Sequence, residues 1–321
     1  SADRPPAANL LFKPSRLLRI TAANHTEVYS SNDFVIRGRT IEFVGTDPIP
    51  ALSMEDLFPA EKSERSIAAH QDGIRYLSFS EGHFFHDLQI VVEYATDEKW
   101  DGPVPEAYHL PEFRRLVAQK KPLTIAILGD SISTGANASS ITGAPPFQPA
   151  YYELFAQQLQ GLTGVKPTLV NLSVGGKASK WGSQQVASLI SAKPDLVLIA
   201  FGMNDASGRV SPEAFSTNIQ DIVRALQGAL PCAECVLISG MSANPEWNKA
   251  GISFHEAYDR SLKQLASPQV AFCSVKSVWD HIAERKGFWS VTGNGVNHPN
   301  DYGHRIYADC LAQTLLGNAV R

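Results

Sequence analysis

Two rhythms of apolar and polar positions divide the chain. From Leu10 to about Thr96 the apolar residues fall in short β-branched or aromatic runs, LLRIT, DFVIRG, RTIEFVG, IRYLSFS and LQIVVEYA, several of them in period-two alternation. Asn-Asp, Gly-Arg, Gly-Thr-Asp and Glu-Gly pairs separate them as turns. Five or more short strands with no convincing long helix predict a small antiparallel β-sandwich. The charged stretch MEDLFPAEKSER, within residues 50–69, predicts a long exposed connection or a short helix. EGHFFHDL reads as a strand, with His83 and Phe85 on one face and Phe84 and His86 on the other, so that adjacent metal ligands are not implied.

Between Trp100 and Pro111 three prolines and a glycine stand among few apolar residues, which predicts an ordered linker. The expected organisation is a β-sandwich over residues 1–99, a linker over 100–120 and a second domain over 121–321. In that second part strand and helix alternate. Apolar runs at 123–128, 168–172, 196–201 and 236–239 are followed by helical patterns near 151–162, 184–192, 212–230 and 254–265. A fifth run at 270–273 and a terminal helix near 302–316 complete the series. Strands separated by helices read as right-handed βαβ crossovers around a parallel sheet, an α/β architecture in which every strand ends on one rim.

With 321 residues there is room for two domains or one large one. A formal net charge of −4 gives no electrostatic reason to expect nucleic acid or an anionic membrane as partner, and no apolar run reaches the roughly 18 residues that suggest a membrane span. The segment SADRPPAANLLF lacks the basic and apolar regions of a signal peptide, as a processed chain also would; a mature secreted or periplasmic protein is the expectation. Cys232 and Cys235 form a CxxC that suits ordinary thiols, a local disulfide, or metal or redox chemistry. Zinc would need two more ligands nearby, whereas Cys273 and Cys310 are distant and no paired histidine is close. No metal or cofactor is expected.

The stretch KPLTIAILGDSISTG carries the first candidate chemistry. The run after Pro122 is a short buried strand that delivers Asp130 and Ser131 to its carboxyl end, where open α/β sheets bind ligands. Ser131 suits either a nucleophile on a tight turn or, like Ser133, a helix N-cap. Asn171-Leu-Ser-Val-Gly-Gly-Lys-Ala-Ser179 follows the second strand, Gly202-Met-Asn-Asp205 the third, and Asn294-Gly-Val-Asn-His-Pro-Asn300 precedes the terminal helix. These four blocks, in this order, resemble the SGNH, or GDSL-type, esterase superfamily over roughly residues 123–316, and an ordered set is far more specific than any one motif.

The resemblance implies a flavodoxin-like three-layer α/β/α domain. It implies Ser131 as nucleophile, His298 as general base, and the Ser131 and Gly176 N–H groups with the Asn204 amide as oxyanion donors. Preorganised donors of this kind stabilise the charge that develops on the former carbonyl oxygen. A side chain at position 176 is expected to intrude on the substrate. Many family members carry an acid three residues before the histidine, but here that residue is Gly295, and Asn294 best suits a longer spacing. The leading expectation is a Ser131–His298 dyad oriented by the Asn294 oxygen or a backbone carbonyl. An acid from elsewhere, Asp301 or Asp280 being nearest in sequence, and a weakened or replaced site are the alternatives.

A β-sandwich joined to such a domain resembles carbohydrate acetyl esterases with an appended jelly-roll. The implied reaction is removal of O-acetyl groups from polysaccharide or oligosaccharide through an acyl-enzyme. The loop NASSITGAPPFQP, from Asn137 to Pro149, is expected to wall one side of the cleft, and Trp181, Phe147 and Trp247 are candidates to stack on sugar rings or to fill the core. A lipase or thioesterase, which needs an apolar acyl tunnel, and a non-catalytic carbohydrate-binding protein are the other classes.

Overall fold

The computed structural model describes residues 5–24, 27–47 and 49–317. Its N-terminal part runs β1 (Ala7–Asn9), β2 (Arg16–Ala22), β3 (Val28–Tyr29), β4 (Phe34–Arg37), β5 (Thr40–Phe43), α1 (Met54–Leu57), β6 (Ala68–Ala69), β7 (Tyr76–Leu77), α2 (Phe84–Asp87) and β8 (Ile90–Ala95). Two three-stranded antiparallel sheets, β1-β5-β4 and β3-β2-β8, share a small core. Leu10, Ile20, Phe34, Ile41 and Phe43 fill it, with Tyr29, Val92 and Tyr94 packed against them. Alternation decides which residues enter: in TIEF, Ile41 and Phe43 are buried, and Phe43 meets Phe34 edge to face at 5.4 Å across a paired position. The charged stretch yields the short helix α1, whose Ser53 and Asp56 form a reciprocal capping box.

One N-terminal expectation is overturned. EGHFFHDL is a helical turn, not a strand: His83 and Asp87 pair at 2.5 Å across four residues, a spacing that only a helix brings together. The adjacent Phe85 and His86 are both buried, because the turn wedges into the second part of the molecule. Phe85 packs on Trp289 at 5.7 Å, and His86 Nε2 lies 2.7 Å from the Pro145 carbonyl oxygen.

The segment expected to be a linker contains α3 (Pro111–Ala118), with proline in its first turn and Phe113 and Leu116 buried in the main core. The Glu234 carboxylate accepts from the Glu112 and Phe113 N–H groups at 3.0 and 2.7 Å, supplying the acceptor that the chain end of this helix lacks. The second half of 100–120 is therefore part of the α/β body.

That body continues as β9 (Thr124–Gly129), α4 (Ser139–Thr142), α5 (Tyr151–Thr163), β10 (Thr168–Asn171), α6 (Ser179–Ser183), α7 (Val186–Ser191), β11 (Leu196–Ala200), α8 (Met203–Ser207), α9 (Pro212–Ala229), β12 (Glu234–Ser239), α10 (Ile252–Gln264), β13 (Val270–Ser274), α11 (Val275–Lys286) and α12 (Asp301–Leu316). The helix expected near 184–192 is α7, preceded by the additional short α6, and α11 is likewise additional to the predicted elements. All five strands are parallel, in the order β10-β9-β11-β12-β13. This is the flavodoxin-like order, with its switch point between β9 and β11. Successive strand residues serve opposite cores: Ile125 and Ile127 face α3, α5, α11 and α12, while Ala126 and Leu128 face α7, α9 and α10. Burial on both faces explains why these strands read as continuous apolar runs. Among the described residues no helix is long and apolar enough to cross a membrane.

Candidate active site

The chain leaves β9 through a turn that only glycine permits. A Cβ on Gly129 would lie 2.4 Å from Ser133 Oγ and 2.5 Å from the Ala200 carbonyl oxygen. Asp130 Oδ1 accepts from the Ile132 N–H at 3.0 Å, and the Ser131 carbonyl accepts from the Ala136 N–H at 3.0 Å, closing the turn on both sides of Ser131. Ser133 is buried against Tyr151, with 2.9 Å between their hydroxyl oxygens, so of the two serines only Ser131 faces the rim. Burial raises the Asp130 carboxyl to about 7, against the opposing pull of the Ile132 N–H and the charge of His298.

His298 reaches this turn from the loop before α12. Its Nε2 lies 2.9 Å from Ser131 Oγ, and the residue is only 6 % exposed. Asn294 does not orient the ring, contrary to expectation. Its Oδ1 is taken by three backbone N–H groups, those of Val296, Asn297 and His298, at 2.9, 2.9 and 3.0 Å. It folds the NGVNH loop rather than touching the imidazole. Asp301 and Asp280 are also engaged elsewhere, Asp301 Oδ1 with the Ser139 N–H at 2.8 Å and Asp280 with Lys276 at 2.6 Å.

The imidazole Nδ1 instead meets two residues that sequence reasoning missed. Asn137 Oδ1 lies at 2.9 Å, and Glu81 Oε2 forms an ion-pair contact at 3.0 Å. The orientation of the Asn137 amide follows from its other end, where Nδ2 donates to the carbonyls of Glu81, Gly82 and Gly293 at 3.2, 3.1 and 3.1 Å. Three acceptors around one end require the NH2 there, which turns the oxygen to His298. Nδ1 then carries the proton, and Nε2 has its lone pair free for the Ser131 hydroxyl. Asn137 adopts a left-handed φ of 60°, which asparagine tolerates better than most residues. It opens the loop expected to wall the cleft, which was the only way the sequence pointed to it. Glu81 lies in the N-terminal part, where no motif announces it.

Gly295, at the position where the family resemblance expects an acid, has φ +84°. A Cβ there would stand 2.3 Å from the Ser78 carbonyl oxygen and 2.9 Å from the Phe85 ring. The space is filled by the N-terminal segment that carries Glu81. That segment is also held by the Ser80 N–H donating to the Asn294 carbonyl at 3.2 Å, and by Gln89 Nε2 donating to the carbonyls of Trp289 and Thr292 at 3.1 and 3.0 Å. Burial pushes the Glu81 carboxyl up, but its contact with His298, the charge of that ring and the Asn294 amide together hold it below its ordinary value.

On the other side of Ser131, Gly175 comes close enough that an added Cβ would sit 3.7 Å from Ser131 Cβ. At Gly176 an added Cβ meets no protein atom within 4 Å, and the backbone has a left-handed φ of +73°, which favours glycine. Among the described residues neither the Ser131 nor the Gly176 N–H donates a hydrogen bond. Asn204 Nδ2 donates to the Lys177 carbonyl at 3.0 Å and faces Asp130 Oδ2 at 3.5 Å. Asp205 ties this loop down by accepting from the Ser179 N–H and hydroxyl.

Of the three aromatics, Trp181 packs edge-on to Phe201 at 6.5 Å and Trp247 packs against the main core, while Phe147 is 57 % exposed. The cysteines are unpaired, Cys232 exposed and Cys235 buried in β12. A cavity of about 590 Å³ separates the sandwich from the α/β body, lined by Phe34, Phe43, Phe85, Tyr94 and Trp289 among others; neither Ser131 nor His298 lines it.

Residues 127–306, more than half of the chain, match the model of the GDSL-like lipase/acylhydrolase family. Among solved structures, the chain is similar to an acetylxylan esterase from Geobacillus stearothermophilus, with 18 % identity, 63 % of this chain and 99 % of that one covered, and a TM-score of 0.52. It is also similar to a lipase from a goat rumen metagenome, with 15 % identity, coverage of 61 % and 99 %, and a TM-score of 0.50. At these identities the likeness is one of fold. No curated protein matches the chain.

Proposed function

The chain belongs to the GDSL-like lipase/acylhydrolase family, and from that premise we propose that it is a serine esterase removing short acyl groups, O-acetyl groups of carbohydrates in particular. The hydrogen-bonded series Ser131–His298–Asn137 carries this reading. Nε2 of His298 takes the proton as Ser131 Oγ attacks the ester carbonyl, then returns it to the departing alcohol; water repeats the sequence on the acyl-enzyme. The unpaired N–H groups of Ser131 and Gly176 are suited to receive the oxyanion, with the Asn204 hydrogen now held loosely near Asp130 as third donor. Each such donor is worth about 3 kcal/mol of barrier.

Two observations favour a short acyl group on a bulky polar alcohol. Gly175 and Gly176 are exposed, leaving the rim open, and neither Ser131 nor His298 lines the large apolar cavity. The exposed Phe147 offers a ring face that a sugar can stack on. A polymeric substrate agrees with the expectation of a secreted or periplasmic chain.

The experiment compares p-nitrophenyl acetate with the decanoate and follows acetate release from acetylated xylan and glucomannan. Acetyl preference, release from the polysaccharides and loss of several orders of magnitude in kcat for both Ser131→Ala and His298→Ala are expected. Preference for the decanoate overturns the substrate class, and unchanged turnover in either variant overturns the mechanism.

A further inference from the structure

Resting on that catalytic reading, we infer that Glu81, delivered from the N-terminal part of the chain, is the charged positioning residue behind His298, and that the work of the family's single acid is divided between two side chains. An acid in that place has two tasks. It fixes the tautomer that leaves Nε2 free, and its charge stabilises the imidazolium that forms when the serine loses its proton. Asn137 performs the first, since its oxygen is turned to Nδ1 by three carbonyls behind its NH2 group. Being neutral, it cannot perform the second. Glu81 Oε2, 3.0 Å from the same nitrogen, supplies the negative charge.

Two further features point the same way. The NH2 group of Asn137 holds the Glu81 and Gly82 carbonyls, so one amide both orients the ring and fixes the backbone that brings the carboxylate to it. Gly295 leaves no room for an acid of its own, because the Ser78 carbonyl and Phe85 of the incoming segment occupy the space of its side chain. The segment that excludes a carboxylate at one position thus provides one from another. No proton passes to Glu81: the proton leaving Ser131 Oγ stays on Nε2 until the alcohol departs, and Glu81 remains ionised throughout.

The carboxylate is 57 % exposed, so its effect is smaller than that of a buried triad acid. Glu81→Gln is expected to lower kcat about tenfold with KM changed by less than about twofold, as fits a partly screened charge near the ring. The rate of Ser131 labelling by a fluorophosphonate should fall by a similar factor. Loss of the negative charge makes protonation of the neighbouring imidazole harder, so the acid limb of the kcat/KM–pH profile should move to lower pH by about a unit or less. Asp130 in the turn after β9 and His304 on α12 also feel the charge of His298, and both are common to parent and variant. Glu81→Asp should recover part of kcat and return the limb toward its parental position, which a packing role would not produce.

Thermal unfolding of Glu81→Gln should match the parent. Unchanged kcat and an unmoved acid limb in Glu81→Gln overturn the assignment while leaving Ser131 and His298 intact. Loss of activity with a lowered unfolding temperature and no recovery in Glu81→Asp overturns it in favour of a structural role. A parent whose Ser131 is not labelled at all overturns the catalytic reading itself.

Discussion

Gly295→Asp restores an acid three residues before His298, and on sequence grounds alone it should repair the site. The structure predicts the reverse. The backbone at this position has φ +84°, where a residue with a Cβ costs about 1–2 kcal/mol relative to an unstrained conformation. The new Cβ would stand 2.3 Å from the Ser78 carbonyl oxygen, 2.9 Å from Phe85 and 3.0 Å from Trp289. The first of these is backbone and the others are ring atoms, so relief requires moving the incoming segment, and overpacking of this kind costs about 1–3 kcal/mol. The expected loss is about 2–5 kcal/mol in urea unfolding followed by tryptophan fluorescence, with Trp289 beside the lesion. Because moving Ser78 and Phe85 also moves Glu81, kcat for p-nitrophenyl acetate should fall despite the added carboxylate. Gly295→Ala should account for most of the destabilisation, since it introduces the same Cβ. A Gly295→Asp variant as stable as the parent and at least as active would refute the reasoning.

Three other outcomes are expected. Asn137→Leu removes one of the two acceptors at Nδ1, the one that fixes the ring, and strands three carbonyls, so kcat should fall about a hundredfold or more and the unfolding free energy should drop by about 1–3 kcal/mol. Asn294→Asp preserves the acceptor for three backbone N–H groups while adding a charge beside Glu81; activity should stay within about tenfold of the parent in a steady-state assay. Burial holds His255 neutral by lowering it to about 4, with the charge of Lys276 adding to the effect. The unfolded chain therefore binds a proton between about pH 6.5 and 4 that the folded protein refuses, so this histidine's contribution to stability is present above 6.5 and is lost as pH falls. His255→Gln should reduce the slope of unfolding free energy against pH in that window by about 1.4 kcal/mol per unit, and an unchanged slope would contradict it.

The strands of the α/β body were legible because they are buried on both faces: a continuous run such as TIAILG has no other stable placement. Helix α3 was hidden because Pro111 at its start read, with Pro103 and Pro105 before it, as linker, although proline in a first turn is compatible with helix. EGHFFHDL misled because a single helical turn is too short to establish a period, and its two buried residues face partners far along the chain, Phe85 against Trp289 and His86 against Pro145.

Ser131, Gly176, Asn204 and His298 could be named because four blocks in order resemble the SGNH superfamily, while strand ends and helix starts placed those blocks on one rim. What stands behind His298 could not. Asn294 has the right position in sequence, but its oxygen is consumed by its own loop. By itself, the sequence determined the parallel sheet, its single functional rim and the order of the blocks along it, all consequences of local periodicity and turn chemistry. Only the tertiary structure decided which polar groups meet the imidazole. Those contacts depend on how two separately patterned parts of the chain pack, and on a glycine whose missing side chain makes room for Ser78 and Phe85 of the segment that carries Glu81.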